Sequence, residues 1–476
     1  MKKMIKPDSP VEEFFEQIGE KRAKLYSSIL ERYRIKNVEQ FISVLSPNLP
    51  SYKDKELKQK CLAPNYLQIK KSSASPAKKL KKLRKLFKIS TSRAESILRG
   101  LDSVRLPVRA YKNSRTFLSL GIIPSSKRPY CRFWSGHSRT LRINERHYII
   151  PEYEKMGLVF DQGSRGTCVA NAATGLIDYL TGSGTSRQFL YHQCKMIDGI
   201  PQTEGTYMEM PIEIICNAKL IDYGTVSESE WVYNPHNNSD VPQGPPPEIC
   251  FKGKRYYSIE PVETRQNSVV EDVKLLLSGI DGYNPVPVTM GFSLYESFMS
   301  SYSIRTGEVS LPLPDEGKVG GHAMLIVGWD DDDGVFIVRN SWGEAYASEN
   351  KYKMPGHALI PYSYFQQYTH GGHTVLSMRQ QAVNIAEEDR LYKREYQFSG
   401  RNGKIAAISR KKVRKFRNNT KPGKRKKVAI YSIPIVLIVV VILLRMFLPE
   451  YYFEYRYYVF EAYLRVSDFI SEMLNL

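Results

Sequence analysis

The chain has 476 residues, of which 42% are hydrophobic, and its formal net charge is +20. This length predicts roughly two or three domains, and the hydrophobic fraction is large enough for buried cores, which excludes a wholly disordered chain. The six cysteines include no CxxC pair. Their spacing argues against a structural zinc site and against a disulfide-stapled secreted domain, and it favours a reducing compartment. We predict no metal site and no cofactor.

Residues 1–105 are predicted to form a small helical domain, which is a candidate regulatory domain. The basic amino terminus is not followed by an apolar run, so no signal peptide is predicted. Helical periodicity predicts a helix from Val11 to Tyr26 that continues to Tyr33, and further helices over RIKNVEQFISVL and STSRAESILRGL. Whether this region inhibits the rest of the chain is left open by the sequence.

Much of the positive charge lies in KKLKKLRKLFK, from Lys78 to Lys88. Leu80, Leu83, Leu86 and Phe87 recur at helical spacing against a lysine face, which predicts an amphipathic basic helix. Such a helix can lie on a membrane, bind an acidic partner or nucleic acid, or present a solvated face. We favour the solvated face, and nucleic acid is not an expected partner because no binding motif accompanies the run.

Residues 106–145 are predicted to be a connector. This segment is punctuated by proline and serine, which favours irregular backbone over helices and strands. We expect it to join two domains along the surface.

The segment DQGSRGTCVANAATGLIDYL, from Asp161 to Leu180, predicts a helix that begins at Cys168 and ends before Gly182. Counted from Val169, apolar residues recur at offsets of three, four, seven, eight and eleven, which indicates one buried stripe; they are Ala172, Ala173, Leu176, Ile177 and Leu180. The first turn of a helix has unpaired N–H groups and the positive end of the helix dipole, and both favour a thiolate. The alternative is a small buried cysteine with no chemical role.

The segment GGHAMLIVGWDDDDGVFIVRNSWG predicts a hairpin with strands from His322 to Trp329 and from Val335 to Asn340. If Trp329 faces Val335, then Asn340 faces Met324. His322 then projects from the same face two residues earlier, so its imidazole can contact the asparagine amide. An amide that accepts from one ring nitrogen leaves the other to exchange a proton with a thiol. A core histidine and a turn asparagine are the alternative.

Cys168, His322 and Asn340 in this order, with Gln162 six residues before the cysteine, resemble the papain-like cysteine peptidases. The resemblance covers roughly Pro151 to Phe365 and is nearest to the bacterial and archaeal branch. It implies an α+β fold of two lobes, one helical and one β-barrel-like, which we assign to residues 146–380.

The resemblance also implies catalytic roles. In that family the cysteine attacks a peptide carbonyl, the histidine pairs with the thiolate and protonates the leaving amine, the asparagine orients the histidine, and the glutamine helps to bind the oxyanion. By motif position these roles fall on Cys168, His322, Asn340 and Gln162.

Three further positions are implied to contribute to the substrate-binding site. Gly205, in EGTYMEM, and Gly321 contact the substrate, and Trp342 covers the bond between the histidine and the asparagine. Two positions depart from the commoner pattern: Val169 replaces an aromatic residue, and Arg165 replaces a disulfide cysteine. We therefore expect the helical lobe to be held by packing.

Val428 to Leu448 form the one long apolar run, and about 20 such residues can cross a bilayer core of roughly 30 Å. The linker of residues 381–427 is strongly basic, whereas the aromatic, amphipathic tail of residues 449–476 is acidic. The basic side of a membrane span stays in the cytoplasm. We therefore predict a single-pass membrane protein with its peptidase domain in the cytoplasm.

Taken together, the sequence predicts a membrane-anchored endopeptidase that uses a cysteine, histidine and asparagine triad through an acyl-enzyme. Its expected partners are a protein or peptide substrate and the lipid bilayer, and its oligomeric state is open. Two alternatives remain: acyl transfer to an amine by the same triad, and a non-catalytic membrane scaffold.

Overall fold

The computed structural model describes residues 5–47, 75–104, 122, 132–133, 145–200, 204–216, 225–235, 256–264, 268–280 and 283–380. The predicted basic linker, membrane span from Val428 to Leu448 and tail lie outside these residues. Within the described ranges, no helix has both the length and the apolar character needed to cross a membrane.

Within the described residues, five helices precede the connector. They are α1 (Val11–Gln17), α2 (Ala23–Arg32), α3 (Val38–Leu45), α4 (Pro76–Phe87) and α5 (Thr91–Asp102). The predicted continuous helix from Val11 to Tyr33 is wrong, because Gly19 adopts a φ of 77° in the break between α1 and α2. We call this part the helical domain.

Aromatic rings form the core of the helical domain. Phe15 contacts the rings of Tyr26, Phe41 and Phe87 at centroid distances of 5.2, 6.1 and 5.7 Å. Because Phe87 ends the basic helix α4, the apolar stripe of that helix closes the core as its periodicity predicts. The small helical domain therefore has a core of its own.

The following two-lobe domain contains a mostly helical lobe and a large sheet. Its helices are α6 (Cys168–Thr181), α7 (Arg187–Ile197), α8 (Met210–Cys216), α9 (Val269–Ser278), α10 (Ser301–Thr306) and α11 (Tyr362–Tyr368), and the 3₁₀ segments are Tyr153–Met156 and Glu296–Met299. Its strands are β2 (His147–Ile149), β3 (Tyr256–Glu263), β4 (Val288–Tyr295), β5 (Lys318–Asp330), β6 (Val335–Arg339), β7 (His357–Pro361) and β8 (Thr369–Gln380), with β1 (Arg132–Phe133) from the connector.

The eight strands form one sheet in the order β1-β3-β8-β4-β5-β6-β7, and β2 pairs with β5. All pairs are antiparallel except β1 with β3. The result is an α+β architecture in which β5 is central and pairs with strands on either side. The predicted α+β class is confirmed.

Helix α6 begins at Cys168, and it ends where Gly182 takes the left-handed conformation, as predicted. The prediction of a single buried stripe is wrong, because every residue of α6 from Cys168 to Tyr179 is buried. The helix packs against β5 on one side and α7 on the other. A Cβ on Gly175 would lie 2.9 Å from a methyl carbon of Leu325, so the glycine allows the close approach of α6 to β5.

The hairpin of β5 and β6 forms, but its register differs from the prediction near the turn. Trp329 pairs with Phe336 and not with Val335. Further along, Ile326 pairs with Val338, because the register shifts by one residue between these two pairs. Because of this irregularity, the two strands have the predicted register at the end of the hairpin that carries His322, away from the turn.

The basic helix α4 docks onto carboxylates of the two-lobe domain. The Lys82 side chain is fully buried, and its ammonium lies 2.8 Å from Glu296 and 3.8 Å from Glu316, both also fully buried. Lys78 binds the other oxygen of Glu296 at 2.5 Å. The solvated face that we favoured is therefore wrong for this part of α4, since its lysines face an acidic site in the same chain.

Neutral and apolar contacts extend this interface. Leu313 of the two-lobe domain is buried in the core cluster of the helical domain. Gln40 donates to the Ser310 hydroxyl at 3.0 Å, and the Leu311 N–H donates to the Tyr33 carbonyl at 3.0 Å. The interface therefore combines buried charge, backbone pairing and an inserted side chain.

Candidate active site

Cys168 lies where the loop before α6 becomes helix, and its side chain is fully buried. It packs in an apolar cluster with Val169, Ala172 and Ala323. Because Ala323 follows His322 in β5, this cluster brings the start of α6 beside the strand that carries the histidine.

His322 and Asn340 meet as the hairpin predicts. Nε2 of His322 lies 2.7 Å from Oδ1 of Asn340, which also accepts from the Ser341 N–H at 2.7 Å. Because a carbonyl oxygen can only accept, Nε2 carries the hydrogen and Nδ1 carries the lone pair of the neutral ring. Within the described residues Nδ1 makes no hydrogen bond, so it is the ring atom suited to proton transfer.

Trp342 covers the histidine. Its ring stacks on that of His322 with the centroids 4.7 Å apart and an interplanar angle of 23°. Phe298 and Tyr346 contact the indole edge-on at 6.1 and 5.1 Å and hold it in place. Burial lowers the pKa of His322 to about 4, although the bond to Asn340 opposes this effect. The imidazole is therefore neutral at pH 7 in this covered state.

Gln162 is fixed at both ends of its side-chain amide. Its oxygen accepts from the Ser341 hydroxyl at 2.5 Å, and its nitrogen donates to the Arg165 carbonyl at 2.8 Å. Its backbone N–H donates to the Ser341 carbonyl at 2.9 Å. The sequence did not identify Ser341, although it stands between two predicted site residues, Asn340 and Trp342. Its hydroxyl links the loop before α6 to the end of β6.

The glycine loop is held by helix α7. Gly205 has a φ of 95°, and its N–H donates to the Tyr191 hydroxyl at 3.0 Å. Its carbonyl accepts from the Lys195 ammonium at 2.8 Å. Both backbone groups of this predicted substrate-binding residue are therefore fixed from one helix.

Arg165 stands where the commoner pattern has a disulfide cysteine, and an ion pair of Arg165 adds to the packing that we expected to hold this lobe. Its guanidinium lies 3.7 Å from the Glu204 carboxylate, which also accepts from the Gly166 N–H at 2.8 Å. In the part of the chain that the structure describes, neither Cys168 nor Cys194 forms a disulfide. An ion pair joins the loops there. The arginine in place of the disulfide cysteine was the signal in the sequence.

The connector enters the site at Ile122, so the prediction that it follows the surface is wrong at this residue. The Ile122 N–H donates to the Gly321 carbonyl at 3.3 Å, and Ile122 forms a parallel bridge with Thr206. Its side chain packs against the cluster that contains Cys168. A Cβ on Gly321 would lie only 3.0 Å from that of Ile122, so the glycine allows this contact. Ile122 thus lies between the two predicted substrate-binding glycines.

Residues 149–355 match the family model described as papain family cysteine protease. An uncharacterized peptidase C1-like protein of Acanthamoeba polyphaga mimivirus is 31% identical over 219 residues, which cover 43% of this chain and 64% of that protein. A cathepsin B-like cysteine proteinase of Caenorhabditis elegans is 26% identical over 107 residues, which cover 22% of this chain and 26% of its length. The chain thus spans less than two thirds of both relatives.

Among solved structures, xylellain, a cysteine protease from Xylella fastidiosa, has a TM-score of 0.45 and is 23% identical. The match covers 55% of this chain and 96% of that chain. The family model thus supports, over residues 149–355, the papain-like cysteine peptidase domain that the cysteine, histidine and asparagine motifs predict.

Proposed function

We propose that the protein hydrolyses peptide bonds through a covalent acyl-enzyme formed on Cys168. The observation that carries this proposal is the bond of His322 to Asn340, because it directs the Nδ1 lone pair of the neutral ring away from the amide. Nδ1 takes the proton of the Cys168 thiol, and the sulfur attacks the peptide carbonyl carbon. The imidazolium returns that proton to the leaving amine. Water, deprotonated by the same nitrogen, then hydrolyses the thioester.

The backbone N–H of Cys168 and the side-chain amide of Gln162 are the proposed donors to the oxyanion. An amide nitrogen carries two hydrogens, and one of these is used at the Arg165 carbonyl. The fixed orientation of Gln162 supports the proposal, since oxyanion donors must be in place before charge develops. Loss of one such donor raises a barrier by about 2.7 to 4 kcal/mol.

The contacts of Ile122 support an extended peptide as the substrate. Its backbone pairs with Gly321 on one side and with Thr206 on the other, so both edges of the cleft accept a strand. We propose that substrate replaces the connector there and contacts Gly205 and Gly321. With the connector in place the enzyme is latent, because the nucleophile is buried.

The helical domain has a different role in this proposal. Its interface includes residues 296–316, and Phe298 of this stretch contacts the Trp342 indole that stacks on His322. We propose that the helical domain stays bound while the connector is displaced or cut. Residues 1–105 and 146–380 then work as one unit after the cleft opens.

We also propose that Val428 to Leu448 anchor the protein in a membrane with the peptidase domain in the cytoplasm. The support is the length and apolar character of this run and the basic linker before it. Labelling of single cysteines, placed in residues 381–427 and 449–476, with an impermeant maleimide in intact cells tests the topology. Labelling of the linker without the tail would overturn it.

The test of catalysis compares Cys168→Ala with Cys194→Ala, the matched control for loss of a buried thiol, and both variants carry Ile122→Gly so that the proposed latent state is opened. We expect Cys168→Ala to lower hydrolysis of a fluorogenic peptide by about 10⁴-fold or more, and Cys194→Ala to leave it within a few-fold. Mass spectrometry should find a peptidyl epoxide on Cys168 alone. Peptidase activity that survives Cys168→Ala contradicts the proposal. Product masses in the presence of an added amine distinguish hydrolysis from acyl transfer.

A further inference from the structure

The Glu204 carboxylate contacts both of the loops that form the proposed cleft in the helical lobe. Oε2 accepts from the Gly166 N–H at 2.8 Å, two residues before Cys168, and from the Tyr191 hydroxyl at 3.2 Å. That hydroxyl in turn accepts from the Gly205 N–H at 3.0 Å. A Cβ on Gly166 would lie 2.9 Å from the Gly205 nitrogen, so the two loops touch backbone to backbone.

A buried cation faces this carboxylate. The Arg165 side chain is fully buried, with Nη2 3.7 Å from Glu204 Oε1 and Nη1 3.0 Å from the Gln188 side-chain oxygen. Its guanidinium also lies 5.2 Å from the centroid of the Tyr191 ring. A buried charge is tolerated when it is paired and hydrogen-bonded. Glu204 supplies the negative partner, and its own position is fixed by the same pair.

The carbonyl side of the glycine loop is fixed independently. Lys195 donates to the Gly205 carbonyl at 2.8 Å and to Asp198 at 2.6 Å, and Asp198 also accepts from the Thr206 hydroxyl at 2.9 Å. Tyr191 and Lys195 are four residues apart and so lie on one face of α7. The contact that links Gly205 to the loop of Cys168 therefore runs through the Gly205 N–H, by way of the Tyr191 hydroxyl, to Glu204.

We propose that Glu204 is a positioning residue, an ionic tie that fixes the substrate-binding Gly205 relative to the loop that carries Cys168. The inference rests on the proposed function, because it assigns consequences to the same cysteine and glycine. Each of the two loops donates to this carboxylate, directly from Gly166 or through Tyr191. The two loops are thus joined by hydrogen bonds and an ion pair and not by a covalent cross-link. Each loop can be followed by its own measurement.

The test uses the full-length protein with Ile122→Gly in every sample, so that the cleft is uncovered. Alkylation of Cys168 by iodoacetamide reports on the nucleophile loop, and KM for a fluorogenic peptide reports on the glycine loop. Tyr191→Phe removes the hydroxyl that joins Glu204 to Gly205 but keeps the ring. Glu204→Gln removes the negative charge and keeps the size of the side chain.

We expect Tyr191→Phe to raise KM by up to about tenfold, the effect of one lost hydrogen bond, with kcat and the alkylation rate within twofold. We expect Glu204→Gln to raise KM and to lower the alkylation rate, each by about tenfold. Tyr179→Phe on α6 and Glu154→Gln, which is exposed, are the matched controls and should change neither quantity.

Three results overturn the inference in different ways. Unchanged KM and alkylation in Glu204→Gln, in an active background, disprove the tie and leave the proposed function intact. If Glu204→Gln does not fold, Tyr191→Phe decides, and a fall in kcat at constant KM contradicts the tie. If the Ile122→Gly protein neither hydrolyses the peptide nor is alkylated at Cys168, the proposed function is refuted, and the tie with it.

Discussion

The helical domain and the connector both contact the peptidase domain, but by different means. The helical domain contributes Lys82 to a fully buried group of charges and accepts Leu313 into its core. At the cleft the connector contributes Ile122, which is only partly buried and donates its N–H to the Gly321 carbonyl at 3.3 Å. Breaking a buried ion pair costs about 3 to 5 kcal/mol, whereas a single hydrogen bond contributes about 0.5 to 1.5 kcal/mol. In the proposed function the first is the permanent contact and the second is the displaceable contact.

The largest expected effect is on the permanent contact. Lys82→Met leaves Glu296 and Glu316 buried with one nearby ammonium fewer, so we expect the free energy of unfolding to fall by about 3 to 5 kcal/mol in urea denaturation. Lys81→Met is the matched control, because Lys81 is 64% exposed and pairs with Asp315 at the surface. We expect a loss below about 1 kcal/mol for this control. An equal fall in the free energy of unfolding of the two variants would show that the buried ion pair contributes no more than a surface ion pair.

The displaceable contact should respond to Ile122→Gly. Loss of a partly buried isoleucine weakens the covered state by about 1 to 2 kcal/mol, so we expect Cys168 to be alkylated about tenfold faster in the full chain. The free energy of unfolding should change little. Leu158→Ala is the control, because Leu158 is 74% exposed and lies outside the cleft. An unchanged alkylation rate would mean that something other than Ile122 covers the thiol.

Acid should loosen the connector and spare the helical domain. Burial lowers the pKa of His322 to about 4 while the site is covered, and exposure on opening moves it back toward the ordinary value of 6.5. Opening therefore takes up a proton between these values, and lower pH favours the open state. Between pH 7 and pH 5 we expect the hydrogen-exchange protection factor of the Ile122 amide to fall by up to about tenfold.

The Leu311 amide is the internal reference for this measurement. It donates to the Tyr33 carbonyl in the interface with the helical domain, away from His322. Its protection should be constant over the same pH range. A parallel fall at both amides would show that acid loosens the whole domain and not the connector alone.

The sequence predicted the helix start at Cys168 and the contact of His322 with Asn340 because both features are local. Cys168 begins a helix whose periodicity is visible along the chain, and His322 and Asn340 occupy one hairpin whose register follows from two strands. The error at the turn did not matter, since the one-residue shift near Ile326 restored the pairing beside the histidine. The roles of Gln162, Gly205 and the other site residues stay predictions.

What the sequence could not provide was pairing over long separations. An amphipathic lysine helix shows that a charged face exists, but not that Glu296, more than two hundred residues later, lies opposite it. Arg165 likewise gives no sign of which carboxylate it meets. Proline and serine in the connector indicate irregular backbone, and this says nothing about where Ile122 lies. The break at Gly19 was missed because a single glycine is often tolerated within a helix.

Leu313 has a consequence for how the protein forms during translation. It belongs to the core of the helical domain, yet the ribosome adds it long after the last helix of that domain, α5, which ends at Asp102. At synthesis rates of about 5 to 20 residues per second, the nascent helical domain lacks this side chain for on the order of ten seconds or more. A growing chain thus exposes an apolar gap that chaperones can recognise until its own later residues fill it.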